Sequence, residues 1–205
     1  MNQKRHWEKT YSNNPLFFGE EPSEFATAAV AVFSREGMQT VLELGCGHGR
    51  DTLLFARNGF EVTALDYSAE GLKGLAARAE EVGVSAHVAT RSSDVRQMLP
   101  FPDGSFDACY SHMLLCMELS LDGLKSLVGE IRRVLRPGGL ALYSVRNTFD
   151  PHYRTGIQNP RRCTRSGALS SIFSAKRRFE ACPTATRSWK SAGCRKEASP
   201  GISLR

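Results

Sequence analysis

The stretch Val41–Asp51, VLELGCGHGRD, decides how this chain is read. Val41-Leu42-Glu43-Leu44 suits a short buried strand. Gly45, Gly47 and Gly49 follow at alternate positions, and Arg50-Asp51-Thr52-Leu53-Leu54-Phe55-Ala56 opens a helix. A strand that breaks on glycine and re-enters as a helix presents backbone N–H groups to a ligand. Gly45 and Gly47 permit positive φ and close approach, because neither carries a Cβ. A dinucleotide site more often reads G-x-G-x-x-G, whereas Arg50 stands three residues after Gly47. Glu43 places an acid just before the glycines, and Cys46 serves as a small residue among them.

Strands and helices alternate on either side of this loop. Upstream, Trp7 and Tyr11 stand four residues apart and share a face if that segment is helical. They are either packing against the core or covering a ligand. Pro22-Ser23-Glu24 starts a helix whose apolar stripe is Phe25, Ala29, Val32 and Phe33, and Gly37 stops it. Downstream, the pattern predicts strands at Thr40–Leu44, Glu61–Asp66, Ala86–Thr90, Phe106–Ser111 and Leu140–Val145. Helices are predicted at Arg50–Asn58, Ala69–Glu81 and Leu121–Arg136. Such alternation implies right-handed crossovers and a doubly wound α/β fold with a mostly parallel sheet. Ligands bind outside the carboxyl ends of such strands. Asp66 ends the second strand 21 residues after Gly45, a spacing that suits an acid accepting hydrogen bonds from ribose hydroxyls.

Composition narrows the classes. The 205 residues suffice for one domain with a sizeable core. No apolar run follows Met1-Asn2-Gln3-Lys4-Arg5, and no stretch approaches membrane-spanning length, so neither a signal peptide nor a membrane span is expected. The six cysteines form no C-x-x-C, and no histidines pair at metal spacing. Reduced thiols in a cytoplasmic protein, without a metal, are the expectation. The net charge of +6 is unevenly placed. Residues 1–156 hold 16 Lys and Arg against 19 Asp and Glu, a net −3, whereas residues 157–205 hold 11 against 2, a net +9. Basicity is therefore a property of the last quarter, and nucleic acid is not an expected partner of the rest.

Three further segments agree with the glycine loop. Glu43-x-Gly45-x-Gly47-x-Gly49, V-T-A-L-D-Y-S, L-P-F-P-D-G-S-F-D and L-R-P-G-G-L, in this order over roughly residues 1–150, resemble the class I S-adenosyl-L-methionine (SAM)-dependent methyltransferases. The resemblance implies a Rossmann-like sheet of seven strands, with SAM across the ends of strands one, two and four. It implies that the Gly45–Gly47 backbone faces the methionine part and that Asp66 takes the ribose hydroxyls. Tyr67 would pack on adenine, Asp94 would accept from the adenine amino group with Val95 beside it, and Ser111 would lie near the methyl. With Tyr11, Glu43 and Cys46 these make the candidate cofactor set. Other roles stay open: Asp94 as a turn cap, Tyr67 as core, Ser111 as a plain strand end. The implied activity is methyl transfer to a small-molecule acceptor. The alternatives are a nucleic-acid methyltransferase using the basic tail and a SAM-binding protein without catalysis. Catalytic residues are not identified. His112 could act as a base, and Arg146, Asn147, His152 and Tyr153 follow strand five where substrate groups often sit.

The resemblance stops near residue 157, leaving 1–157 as the domain and 158–205 as a basic irregular tail. Two strands that the family pairs beside strand five are expected to be missing or irregular. Two readings are open, a disordered basic tail and a changed reading frame, and the second is favoured. Codons can be chosen for Arg162–Ser191 so that reading one base earlier yields MYEVGGFIVHFFSEKAVRSLSHGYEVVEI, which has a helix-like and a strand-like segment and resembles the missing part.

Overall fold

The computed structural model describes residues 3–117, 119–145 and the backbone of 173–175. Helices α1 (Gln3–Asn13) and α2 (Glu24–Arg35) precede the alternating series. That series is β1 (Thr40–Leu44), α3 (Arg50–Arg57), β2 (Glu61–Asp66), α4 (Ala69–Glu81), β3 (Val88–Ser92), β4 (Phe106–His112), α5 (Leu121–Val134) and β5 (Leu135–Ser144). The strand order is β3-β2-β1-β4-β5-β6, where β6 is Phe173–Ala175. β1 to β5 run parallel to one another. The order reverses between β1 and β4, which opens a crevice beyond their carboxyl ends.

Local chemistry sets the helix boundaries. Ser23, Ser68 and Ser120 are N-caps whose side-chain oxygens accept the N–H of Ala26, Gly71 and Gly123 at 3.0, 3.1 and 3.0 Å. Each satisfies a donor that the first turn leaves unpaired. α5 ends two residues before the predicted Arg136. Pro137 disfavours helical geometry at Arg136, and Leu135 is already extended and paired with Phe106. The register then shifts across Arg136–Gly139 before Leu140 meets Ala108.

Two expectations are corrected. The third strand runs Val88–Ser92, not Ala86–Thr90, because Ser85–His87 forms a single 3₁₀ turn that delays the entry of the chain into the sheet. Beside β5, where no regular strand was expected from residues beyond 158, Phe173–Ala175 pairs antiparallel: Ala141↔Ala175, Leu142↔Ser174 and Tyr143↔Phe173. The unpaired N–H and C=O groups of an apolar edge are an available partner for any extended segment, however short. The rest of the 158–205 segment lies outside the described residues, as do Arg146, Asn147, His152 and Tyr153.

Strand alternation sends side chains into two cores. Val41, Val62, Ala64, Ala108 and Tyr110 face α2, α3 and α4, together with Phe33 and Phe55. Leu42, Leu44, Leu65 and Cys109 face α5 and the segment before β4. At about 25 cal/mol per Å² of apolar surface removed from water, these layers hold the strand ends rigidly.

Candidate functional site

A cavity of about 380 Å³ lies over the carboxyl ends of β1, β2 and β4. Its floor is the glycine loop. Gly45, Gly47 and Gly49 have φ of +75°, +56° and +82°, the left-handed region that side chains rarely adopt. Sterics at Gly47 are equally strict: a Cβ there would sit 2.5 Å from the Tyr11 hydroxyl. Gly71, in the first turn of α4, packs so closely that its Cβ would lie 2.9 Å from the Gly47 carbonyl oxygen. Loop and helix thus touch backbone to backbone.

Asp66 ties this floor together. Its Oδ2 accepts the Gly47 N–H at 2.9 Å and its Oδ1 accepts the Ser68 N–H at 2.8 Å. A carboxylate offers about four lone-pair sites, so acceptor capacity is left over for a ligand hydroxyl. Burial raises the pKa of Asp66, and the N–H donors of Ser68, Gly47 and Tyr67 pull it back. Glu43, only 3% exposed, accepts from the Thr52 hydroxyl at 2.5 Å. Burial, reinforced by the nearby Asp51 charge, pushes it up to about 8, so Glu43 holds a proton at neutral pH.

Of the ten residues singled out in the sequence, Tyr11, Glu43, Gly45, Cys46, Gly47, Asp66, Tyr67, Asp94 and Val95 line this one cavity. Tyr67 is half-buried in its wall and is not part of either core. Asp94 does cap a turn, accepting the Arg96 N–H at 3.0 Å. Its carboxylate also grips the Arg96 guanidinium at 2.6 to 3.0 Å. That pairing holds its pKa below the usual range. Ser111 is the exception. It is buried, does not line the cavity, and its Oγ meets no hydrogen-bond partner among the described residues. Alternation along β4 explains this: Tyr110 and His112 share one face, and Ser111 follows Cys109 onto the other.

His112 takes the place at the strand end. Its Nδ1 lies 2.7 Å from the Ser144 Oγ, and its ring stacks on Phe25. Burial lowers its pKa, against the pull of the Asp51 charge. Ser144 also receives the N–H of Met113, at 3.1 Å on its carbonyl and 3.2 Å on its hydroxyl. Met113, at φ +61°, is the one non-glycine residue with positive φ among the described residues. This turn sends His112, Met113 and Leu114 into the cavity in succession, where a continuing strand would have alternated them.

The opening segment covers the cavity from the other side. Trp7 stacks on Tyr11 at 5.7 Å, and Tyr11 meets His48 edge-on at 5.7 Å. Burial, followed by the Asp66 charge, keeps the Tyr11 hydroxyl protonated. The Trp7 and Tyr11 rings thus pack on one another and line the cavity. Glu8 fixes the helix, accepting from the N–H groups of Ala69 and Glu70 at 2.9 and 3.1 Å and from the Ser68 hydroxyl at 3.0 Å. An acid at the N-terminus of α4 also suits its dipole.

Reading the sequence missed Asp51, although it closes the opening motif. Its carboxylate accepts from the Ser23 N–H, the Ser23 hydroxyl and the Tyr110 hydroxyl, each at 2.8 Å. It thereby binds the start of α2 to α3 and β4 at the cavity wall. An aspartate in the first turn of the helix that follows the glycines was the available signal.

With this geometry in view, the kinship of the chain is plain. Residues 41–139 match a methyltransferase domain family. Over these residues the chain is similar to the class I SAM-dependent methyltransferases. Over 146 residues it is 36% identical to malonyl-[acyl-carrier protein] O-methyltransferase of Erwinia billingiae, which covers 69% of this chain and 50% of that protein. A sterol 24-C-methyltransferase of Gibberella zeae is 38% identical over 109 residues, 52% of this chain and 27% of its own length. The chain thus spans half or less of these relatives. The CcbJ methyltransferase from Streptomyces caelestis shares the fold, with a TM-score of 0.59, 24% identity, and coverage of 69% of this chain and 56% of its own. Among the described residues no helix is long and apolar enough to cross a membrane.

Proposed function

We propose that the chain binds SAM in the cavity over β1, β2 and β4 and transfers its methyl group to a small-molecule acceptor. The observation that carries this is Asp66, which spans the glycine loop and the start of α4 at the cavity floor and keeps acceptor capacity for a ligand hydroxyl. In this reading the Gly45–Gly47 backbone meets the methionine part, with Glu43 and Cys46 beneath it. Tyr67 and Val95 pack against adenine, and Asp94, held by Arg96, accepts from its amino group. Tyr11 closes the cavity from above. Ser111 is set behind the wall, where it supports the strand end and leaves contact near the methyl to His112.

These residues fit such a ligand. Asp51, Asp66 and Asp94 face the cavity, with Arg50 and Arg96 beside them, and SAM carries positive charge at its sulfonium and ammonium groups. SAM brings an already activated methyl group. The chain supplies alignment and exclusion of water, by way of the aromatic rings over the mouth. A base is needed only for an acceptor that arrives protonated and weakly acidic. His112 is the imidazole at that position, made less basic by burial.

The reading includes a cytoplasmic location, supported by the free thiols of Cys46 and Cys109. It takes residues 1–157 as the working unit and 158–205 as an appendage. Nucleic acid is disfavoured as a substrate, because residues 1–156 are net acidic and the cavity gathers carboxylates. Calorimetric titration of the full chain with SAM and, separately, with NAD tests the reading. Binding of SAM at micromolar levels or tighter is expected, and preference for NAD would refute it.

A further inference from the structure

The cavity has two kinds of wall. Its polar groups belong to the glycine loop, to the start of α3, to the ends of β2, β3 and β4, and to Gln3 and Tyr11 of α1. Most of the apolar lining comes from two segments: Phe17 and Phe18 after α1, and Met113, Leu114, Met117 and Leu119 after β4. Among the described residues of 112–119, the one polar side chain lining the cavity is His112. Phe17 and Phe18 line the cavity yet remain 52% and 43% exposed, and Leu16 beside them is 43% exposed. Their rings are held in place: Phe17 meets Phe18 edge-on at 4.9 Å, Trp7 backs both, and Arg50 donates to the Phe18 carbonyl at 2.8 Å. Large aromatic rings fixed half in water at a cavity mouth are a surface built for contact. Size agrees. A cavity of about 380 Å³ suits one small ligand, and a second molecule must extend out through the mouth.

We propose, resting on the SAM reading above, that the methyl acceptor is a molecule with an uncharged apolar body. Its nucleophilic atom enters beside His112, and its body leaves across the Leu16–Phe18 rim. Phe17 and Phe18 then select for apolar length, and Met113 and Met117 supply an adaptable facing wall, since an unbranched thioether side chain fits varied shapes. A hydrophilic or highly charged acceptor would leave this rim uncovered and strip water from its own charges without recompense.

The test uses a homologous series of neutral probes. The full chain, saturated with S-adenosylhomocysteine, is titrated with 1-hexanol, 1-heptanol, 1-octanol and 1-nonanol. Burial of each added methylene should tighten binding about three- to fourfold, which corresponds to about 0.8 kcal/mol per CH₂. Phe17→Ser should flatten the dependence on chain length, and Phe17→Leu should retain most of it. The readout is the slope, so a change in overall stability does not imitate it. Saturation with S-adenosylhomocysteine, measured first, separates failure of the cofactor reading from failure of this one. A flat series in the unaltered chain, or an unchanged slope in Phe17→Ser, overturns the proposal. So does a chain that self-associates through this rim and becomes monomeric in Phe17→Ser.

Discussion

Replacing Asp66 with alanine probes the centre of the site. Two effects are expected, and the structure separates them. In the free chain the Gly47 and Ser68 N–H groups lose a shared carboxylate. Each charge-assisted bond is worth about 1.5–3 kcal/mol, at the lower end here because water in the cavity can replace it. A loss of about 2–3 kcal/mol in stability follows. With ligand, one lost hydroxyl-to-carboxylate bond of about 1.5–3 kcal/mol weakens SAM roughly tenfold to 150-fold. Asp66→Asn should be almost as damaging. Each carboxylate oxygen takes one N–H, so the amide NH₂ must face either Gly47 or Ser68, donor against donor. Calorimetry with adenosine and 2′-deoxyadenosine isolates the ligand effect: the unaltered chain should prefer adenosine, and both variants should lose that preference. Because burial raises the pKa of Asp66, the preference should also fade as pH drops, at a higher pH than an ordinary aspartate would require. Undiminished preference for adenosine in Asp66→Ala would refute the assignment.

Other substitutions test the frame of the site. Glu43, at about 8 when folded against an ordinary 4.5, binds more protons folded than unfolded between those values. Stability should therefore fall as pH rises from about 5 to 8, and urea titrations should show Glu43→Gln without this component. Gly71→Ala pushes a Cβ against the Gly47 carbonyl; a loss of about 1–3 kcal/mol in thermal unfolding and weaker SAM binding should appear together. Glu8→Gln removes the charge that accepts from the first turn of α4 and should cost about 1 kcal/mol at pH 7. The Glu8 pKa is lowered in the folded state, although burial alone would raise it, by the N–H groups of Ala69 and Glu70 and by Ser68 and Lys4. Its contribution is therefore present above the unfolded pKa and should vanish in denaturation curves as pH falls through the folded value. Sequencing codons 162–191 should show that reading one base earlier encodes MYEVGGF and its continuation, and a chain restored to that frame should be more soluble; a nucleotide sequence that does not encode this string removes the frame explanation.

Much of this molecule was legible in one dimension, for local reasons. β1 and β2 were read to the residue because their apolar runs are bounded by glycines and an acid. α4 was equally clear, between the Ser68 cap and Gly83. The glycine loop and Asp66 were legible because positive φ and the strand-end acid leave marks in residue type and spacing. β3 was misplaced by two residues, since the 3₁₀ turn at Ser85–His87 depends on how the chain docks against β2. Ser111 and His112 are adjacent in sequence, and only the face that β4 turns toward α2 decides which one reaches the cavity. The left-handed backbone of Met113 then bends the chain against the expected alternation. Asp51, Glu8 and Arg96 owe their places to partners 28, 61 and 2 residues away. Even the nearest of these pairings faces the cavity only because β3 ends beside β2. Sequence period determines which residues are buried; which buried or half-buried group meets a ligand is set by the crossing of strands far apart in the chain.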